Sequence, residues 1–188
     1  MGSEITTKLT FEQFRRLPED GKQYELIRGE ARLNPAPNLR HQTVLQNLDM
    51  SLGALVLKHE LGEVWPAPLD VRLGEDTSLQ PDLIFVSKAQ ANILREEFVD
   101  GAPDLVVEVL SPSTSAHDRA TKLPIYATAG VPEFWLIDPV AKTLEVLKLQ
   151  GTNYLLHAIL AADQSLTSSL FPGWQLPLNQ LFDFRGRF

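Results

Sequence analysis

The sequence contains no cysteine among its 188 residues. Disulfide bonds, thiolate metal sites and cysteine nucleophiles are therefore excluded, and a reducing cytoplasm is the location we expect. No apolar run approaches the roughly 20 residues of a membrane-spanning helix, so we expect no membrane partner. Internal repeats, low-complexity tracts and long linkers are also missing, which favours one domain over residues 1–188.

Basic residues are outnumbered: 17 Lys and Arg stand against 24 Asp and Glu, which gives a net charge of −7. A protein that coats nucleic acid through phosphate contacts is normally basic, so the charge argues against such a role. The charge does not exclude a nuclease, because carboxylates that hold metal ions add negative charge locally. For an enzyme of that kind we expect a narrow basic cleft, or a partner that brings the nucleic acid.

Hydrophobic periodicity predicts two main helices. Apolar residues recur at three- and four-residue spacing over residues 39–59, and Asn38 is the expected N-cap. A second helix is predicted over residues 115–129, closed by Gly130. Pro124 lies inside this second helix and is expected to kink it, because proline cannot donate a backbone hydrogen bond.

The remaining apolar segments predict mostly strands. They comprise a hairpin (residues 23–28 and 31–33), one bent strand (64–73), further strands (82–86, 104–110, 133–138, 143–149 and 154–160) and short helices near residues 10–17 and 88–97. The tail from residue 166 is expected to form an irregular cap with Trp174 packed inward. This order predicts a mixed α/β fold, with a central mixed sheet flanked by the two main helices.

Two carboxylates occupy strand positions that predict a metal site. Side chains alternate along a strand, so Glu108 shares one face with Val106 in an otherwise apolar segment. Burying an ionised Glu there is costly unless a cation pairs with it. Asp82 follows Pro81 at the start of another apolar strand, where a turn residue is the structural alternative. Carboxylates at neighbouring strand ends suit a hard cation, so we expect Asp82 and Glu108 to bind Mg²⁺ or Mn²⁺.

Five segments occur in a characteristic order: residues 24–30 (YELIRGE), 80–83 (QPDL), 101–108 (GAPDLVVE), 110–114 (LSPST) and 130–138 (GVPEFWLID). Together they resemble the Uma family of putative restriction endonucleases, and the pair Asp82 and Glu108 resembles the acidic positions of the PD-(D/E)XK nuclease superfamily. The resemblance spans residues 9–160. It implies a restriction-endonuclease-like core, metal-dependent hydrolysis of phosphodiester bonds in nucleic acid, with DNA expected, and, by analogy, a homodimer.

The sequence departs from the superfamily pattern at its lysine, because Leu110 stands at the third position of the motif. The resemblance implies a lysine that has migrated to the following helix, and Lys122, 14 residues beyond Glu108, fits that role. Its ammonium group would position or deprotonate the attacking water. An ordinary surface ion pair with Asp118, four residues earlier, is the competing interpretation, and a solvent-facing Lys122 would put catalysis in doubt.

Three further positions complete the expected site. The resemblance implies that Glu25 is an additional acidic residue near the metal, although an ion pair with Arg28 or Arg40 would also explain it. The carbonyl of Val109 is expected to assist as a metal ligand. His41, at the start of the first main helix, is a candidate for the rim of the same cavity.

Other functions stay open on the sequence alone. A degenerate nuclease fold would bind nucleic acid or protein without cutting, and Leu110 in place of the motif lysine argues for it. A structural or regulatory oligomer could use exposed apolar strands such as residues 143–149. Metal-dependent hydrolysis of another phosphoester is the third alternative.

Overall fold

The computed structural model describes residues 8–111 and 115–186, without the side chains of residues 115–119. The α-helices are α1 (Phe11–Phe14), α2 (Leu39–His59), α3 (Ser115–Ala129) and α4 (Leu178–Leu181), with a 3₁₀ helix at Lys88–Ile93. The strands are β1 (Gln23–Ile27), β2 (Glu30–Asn34), β3 (Gly62–Pro66), β4 (Asp70–Gly74), β5 (Thr77–Leu79), β6 (Leu83–Ser87), β7 (Phe98–Asp100), β8 (Leu105–Val109), β9 (Glu133–Asp138), β10 (Thr143–Gln150), β11 (Asn153–Ala161), β12 (Ser165–Leu166) and β13 (Leu176–Pro177). In the described part of the chain, no helix combines the length and hydropathy needed to cross a membrane.

Most strands belong to two sheets. The five-stranded sheet has the order β2-β1-β5-β4-β7 and is antiparallel except between β4 and β7. The six-stranded sheet has the order β11-β10-β9-β8-β6-β3 and is antiparallel except between β8 and β9. β12 and β13 form a separate short pair. The fold is therefore mixed α/β with mixed sheets, as the sequence pattern predicts.

Both faces of the six-stranded sheet are covered by other elements. One face packs against α2 and the C-terminal segment in a cluster that contains Trp135 and Trp174, and the two indole rings stack with centroids 6.1 Å apart. The other face packs against the five-stranded sheet and α3 in a second cluster that contains Val71 and Tyr126. Burial of each large side chain contributes about 1.5–3 kcal/mol, so these two clusters hold the layers together.

The alternation of side chains along β8 determines where its glutamate lies. Val107 and Val109 belong to the cluster on the α2 side, whereas Val106 and Leu110 belong to the cluster on the α3 side. Glu108 lies two residues from both Val106 and Leu110, so its side chain is on the same side of the strand and its carboxylate faces α3 and the five-stranded sheet. The strand thus directs one ionisable group into the junction of three elements.

Four local predictions are confirmed. Helix α2 covers residues 39–59, and the side chain of Asn38 caps it by accepting a hydrogen bond from the backbone N–H of His41 at 3.0 Å. The hairpin of residues 23–33 is present as β1 and β2. Trp174 packs inward, since only 8% of its surface is exposed. Helix α3 covers the predicted residues 115–129 and includes Pro124.

One local prediction about the strands is wrong. Residues 64–73 do not form one bent strand, because β3 joins the six-stranded sheet and β4 joins the five-stranded sheet. Pro66 and Pro68 lack the backbone donors that would continue one hydrogen-bonded ladder, and the chain changes sheets there. The strand predicted over residues 143–149 is present as β10, and both of its edges are paired, one with β9 and the other with β11.

Candidate active site

The two predicted metal ligands lie at the same end of paired strands. Asp82 immediately precedes β6, Glu108 is the penultimate residue of β8, and these strands are antiparallel neighbours. The backbone N–H of Val109 donates a hydrogen bond to Asp82 Oδ2 at 2.6 Å. This bond fixes the Asp82 carboxylate beside β8, and Asp82, Glu108 and Val109 line one cavity of about 220 Å³.

Lys122 of α3 extends into this cavity between two carboxylates. Its Nζ lies 3.0 Å from Glu25 Oε1 and 3.2 Å from Glu108 Oε1, and only 6% of the residue is exposed. Lys122 therefore does not face solvent. Glu25 forms an ion pair with Lys122. The alternative ion pair of Lys122 with Asp118 involves a side chain that lies outside the described part of the structure.

The position of the missing motif lysine is part of the hydrophobic core. Leu110 is 8% exposed and packs in the cluster on the α3 side, while its backbone N–H donates to the carbonyl of Ile137 at 2.8 Å. A lysine at this position would bring an ammonium group among apolar neighbours. The cation enters the cavity from α3 instead, and the leucine contributes to packing.

Two hydrogen-bond partners of the carboxylates were missed by the sequence analysis. The hydroxyl of Tyr126 donates to Glu108 Oε1 at 2.8 Å, and the backbone N–H of Gln80 donates to Glu25 Oε1 at 2.9 Å. The spacing of Lys122 and Tyr126 on one helix, four residues apart, is a signal that could have revealed the tyrosine. No sequence pattern indicates the contact of Gln80, because it depends on how β1 and β5 pair.

His41, at the first turn of α2, holds Asp82 from the opposite side. Its Nε2 lies 3.1 Å from Asp82 Oδ2, the oxygen that also accepts the Val109 hydrogen bond. The residue is 5% exposed, and its Nδ1 is buried without a hydrogen-bond partner in the described part of the chain. These two contacts orient the Asp82 carboxylate through a single oxygen.

The electrostatics of the cavity are dominated by its excess of carboxylates. Burial raises the pKa of Glu108 to about 8; the Lys122 ammonium lowers that pKa, whereas the Asp82 and Glu25 carboxylates raise it. Burial and the nearby Glu108 also raise the pKa of Tyr126 well above its ordinary value, so this hydroxyl remains a donor. Three carboxylates line the cavity beside the Lys122 ammonium group and the Arg32 guanidinium group, so acidic groups still outnumber these two cations.

A divalent metal ion fits this excess of carboxylates chemically. The donors are carboxylate oxygens, which hard cations such as Mg²⁺ and Mn²⁺ prefer. Among residues 8–111 and 115–186, no three His, Asp or Glu side chains are grouped as a preformed metal cage. The carboxylates that could hold the ion are Asp82, Glu108 and Glu25, and Lys122 contacts both Glu25 and Glu108.

The raised pKa of Glu108 predicts a pH-dependent stability. Because its pKa is higher in the fold than the ordinary 4.5, the protonated form favours folding, and that contribution is lost as pH rises towards about 8. In EDTA, Glu108→Gln is therefore expected to be more stable than the native chain at pH 8, by a few kcal/mol in order of magnitude. Urea denaturation between pH 4.5 and 8 measures the difference. Parallel stability curves for the two proteins would contradict the buried, raised-pKa carboxylate.

The fold matches that of a solved protein of similar length. The chain is similar to the crystal structure of a putative nuclease belonging to DUF820 from Anabaena variabilis, with a TM-score of 0.77 and 22% sequence identity over 93% of this chain and 97% of that chain. At this identity the likeness establishes the fold. No curated protein matches the chain at a significant level.

The family follows from the sequence match. The model of the Uma2 family, described as a putative restriction endonuclease, matches residues 11–179, so the chain belongs to the Uma2 family. The resemblance inferred from the five sequence segments is confirmed. The match extends further towards the C-terminus than the segments from which we inferred it.

Proposed function

We propose that this protein is a metal-dependent endonuclease that hydrolyses phosphodiester bonds in DNA, with Mg²⁺ as cofactor and Mn²⁺ as a substitute. One observation carries the proposal: Glu25, Asp82, Glu108 and Lys122 line a single cavity in a member of a family described as restriction endonucleases. Three carboxylates around one buried lysine have no simple role in stabilising the fold, because each buried charge costs free energy. The arrangement is suited to binding a cation and a phosphate together.

Asp82 and Glu108, with the carbonyl of Val109, are the proposed metal ligands. When bound, a divalent cation would neutralise charge on the scissile phosphate and lower the pKa of a water molecule. The protein contributes orientation before the metal arrives. Asp82 is fixed by the Val109 N–H and by His41, so the ligand geometry at β6 does not depend on the cation.

Lys122 is proposed to stabilise the transition state. In hydrolysis the attacking water loses a proton to solvent and its oxygen forms a bond to phosphorus, while the bond from phosphorus to the leaving oxygen breaks and the leaving oxygen gains a proton from solvent. The Lys122 ammonium group lies within hydrogen-bond distance of Glu25 and Glu108, where it can orient the water and offset charge on the phosphoryl oxygens. The two carboxylates thus favour an electrostatic role for Lys122 over removal of a proton from water.

The alternative of a degenerate nuclease fold, which binds without cutting, was based on Leu110 in place of the motif lysine. An ammonium group is available from Lys122 in the same cavity, so we favour hydrolysis. A homodimer, a cytoplasmic location and a single domain over residues 1–188 are further proposals, the first of which sedimentation analysis tests.

A substrate panel distinguishes the alternatives. The native chain is incubated with plasmid DNA, single-stranded DNA, RNA and a small chromogenic phosphodiester, each with Mg²⁺ or with EDTA. We expect internal cleavage of plasmid DNA that requires Mg²⁺ and stops in EDTA. Metal binding without cleavage of any substrate would instead identify a degenerate nuclease fold. Cleavage of the small phosphodiester alone would identify a different phosphoesterase.

A further inference from the structure

The turn between β1 and β2 places an arginine in an unfavourable backbone conformation. Arg28 has a φ of +52° and Gly29 a φ of +83°, so both central residues of this two-residue hairpin lie in the left-handed region. A type I′ turn has this character and strongly favours Asn-Gly or Asp-Gly. The arginine is therefore strained, and strained residues concentrate where a side chain has a function.

A lysine is fixed beside this turn. The backbone N–H of Leu9 donates to the carbonyl of Gly29 at 2.9 Å. A Cβ atom on Gly29 would lie 2.6 Å from the Cβ of Lys8, so the glycine makes room for the lysine. Lys8 and Arg28 are both exposed, and neither forms a salt bridge with a carboxylate of the described residues.

These side chains line a groove of about 290 Å³ that adjoins the candidate active site. Arg32 also lines it and forms an exposed ion pair with Glu30 at 3.1 Å; among the described residues that line the groove, three are basic and one is acidic. Ile27 and Arg32 line both this groove and the catalytic cavity. In a protein with a net charge of −7, this is a local basic surface next to the carboxylates.

We propose that this hairpin groove, formed by Lys8, Arg28 and Arg32, binds the phosphates of the DNA strand that is cut. The inference rests on the proposed function, because that function supplies the strand. Arg28 lies three residues beyond Glu25, about 10 Å along an extended chain, which corresponds to roughly two or three nucleotides. The groove therefore holds phosphates next to the scissile bond.

The strain at Arg28 supports a contact with phosphate. Asparagine would form the same turn at lower free energy, so the arginine is explained by what its guanidinium group contacts. A guanidinium group can donate two parallel hydrogen bonds to one phosphate, a geometry that lysine and asparagine do not reproduce. The acidic balance of the chain is thereby reconciled with a nucleic-acid substrate, because the basic residues are concentrated where the strand passes.

The test uses Arg28→Asn, which keeps the turn and removes the charge. Binding of a short labelled DNA duplex is measured in EDTA over a range of salt concentrations, so that hydrolysis does not interfere. We expect affinity to fall about tenfold and the slope of log K against log salt to decrease by about 1, as for the loss of one phosphate contact. The melting temperature should rise by about 2 °C, because the strain is relieved. A merely structural arginine would change neither the affinity nor the salt slope.

Lys58→Gln is the matched control. Lys58 is exposed in the last turn of α2, about 25 Å along that helix from His41, and its loss removes the same charge. The proposal that the hairpin groove binds phosphates would be contradicted if native protein and Arg28→Asn had equal DNA affinities and salt slopes. It would also be contradicted if Lys58→Gln lost as much DNA affinity as Arg28→Asn. If the native chain cuts DNA but Arg28→Asn binds DNA normally, phosphate binding in the groove is excluded and the proposed nuclease function is retained. If DNA binding depends on Arg28 but no cleavage occurs, the proposed hydrolysis is excluded and phosphate binding in the groove is retained.

Discussion

Replacing Lys122 with methionine is expected to slow DNA cleavage by about 10²–10⁴-fold while metal binding is retained. The ammonium group lies 3.0 Å from Glu25 and 3.2 Å from Glu108, so it is a buried cation beside a proposed metal ligand. Methionine keeps much of the side-chain length and removes the charge. The rate loss reports the missing electrostatic stabilisation, and the remaining carboxylates still attract a divalent cation.

Single-turnover cleavage of a labelled DNA and calorimetric titration with Mg²⁺ measure the two effects separately. Lys148→Met is the matched control, because Lys148 pairs with Glu133 on the six-stranded sheet and does not line the cavity. A Lys122→Met protein that cuts DNA at nearly the native rate would exclude the lysine from catalysis. Loss of metal binding in that variant would show that the lysine holds the carboxylates in place instead.

Asp82→Asn is expected to weaken metal binding more than about 100-fold and to abolish detectable cleavage, because a charged ligand is lost while the shape is preserved. The asparagine oxygen can still accept the hydrogen bond that Val109 donates to Asp82. The fold should therefore survive. Titration with Mg²⁺ at pH 8 measures the affinity, and circular dichroism checks that the variant is folded.

Asp138→Asn provides the control for this second substitution. Asp138 also ends a strand and accepts backbone hydrogen bonds, from Val140 at 2.8 Å and Ala141 at 2.9 Å, but it lies outside the cavity. Metal binding should be unchanged in that variant. Native-like Mg²⁺ affinity in Asp82→Asn would remove Asp82 from the metal site, and similar losses in both variants would point to a general effect of charge.

The parts of the site that local patterns specify could be predicted from the sequence. Side chains alternate between the two faces of a strand, and both faces of this strand are apolar. Glu108 could therefore be assigned to a buried position before the fold was known. Asp82 could be placed at the start of a strand because Pro81 and the apolar residues after it mark that boundary. The position of Lys122 followed from the family resemblance, since helix periodicity alone does not say which face of α3 meets β8.

The parts that depend on distant packing could not be predicted. The contact of His41 with Asp82 joins residues 41 positions apart, and the hydrogen bond from Gln80 to Glu25 spans 55 positions. The first requires the packing of α2 against the six-stranded sheet, and the second requires the pairing of β1 with β5. The division of residues 64–73 between the two sheets was missed for a similar reason. Two prolines indicated a break in the strand. The sequence did not indicate that β4 would pair with β5 and β7 in the other sheet.

The most direct test of the proposed function is single-turnover cleavage of a labelled DNA duplex by the native chain, started by adding Mg²⁺. The Asp82→Asn variant, purified side by side, serves as the blank. We predict product only from the native protein, only after Mg²⁺ is added, and none in EDTA. Equal product from both preparations, or none from native protein that binds Mg²⁺, would contradict a nuclease site built on Asp82, Glu108 and Lys122.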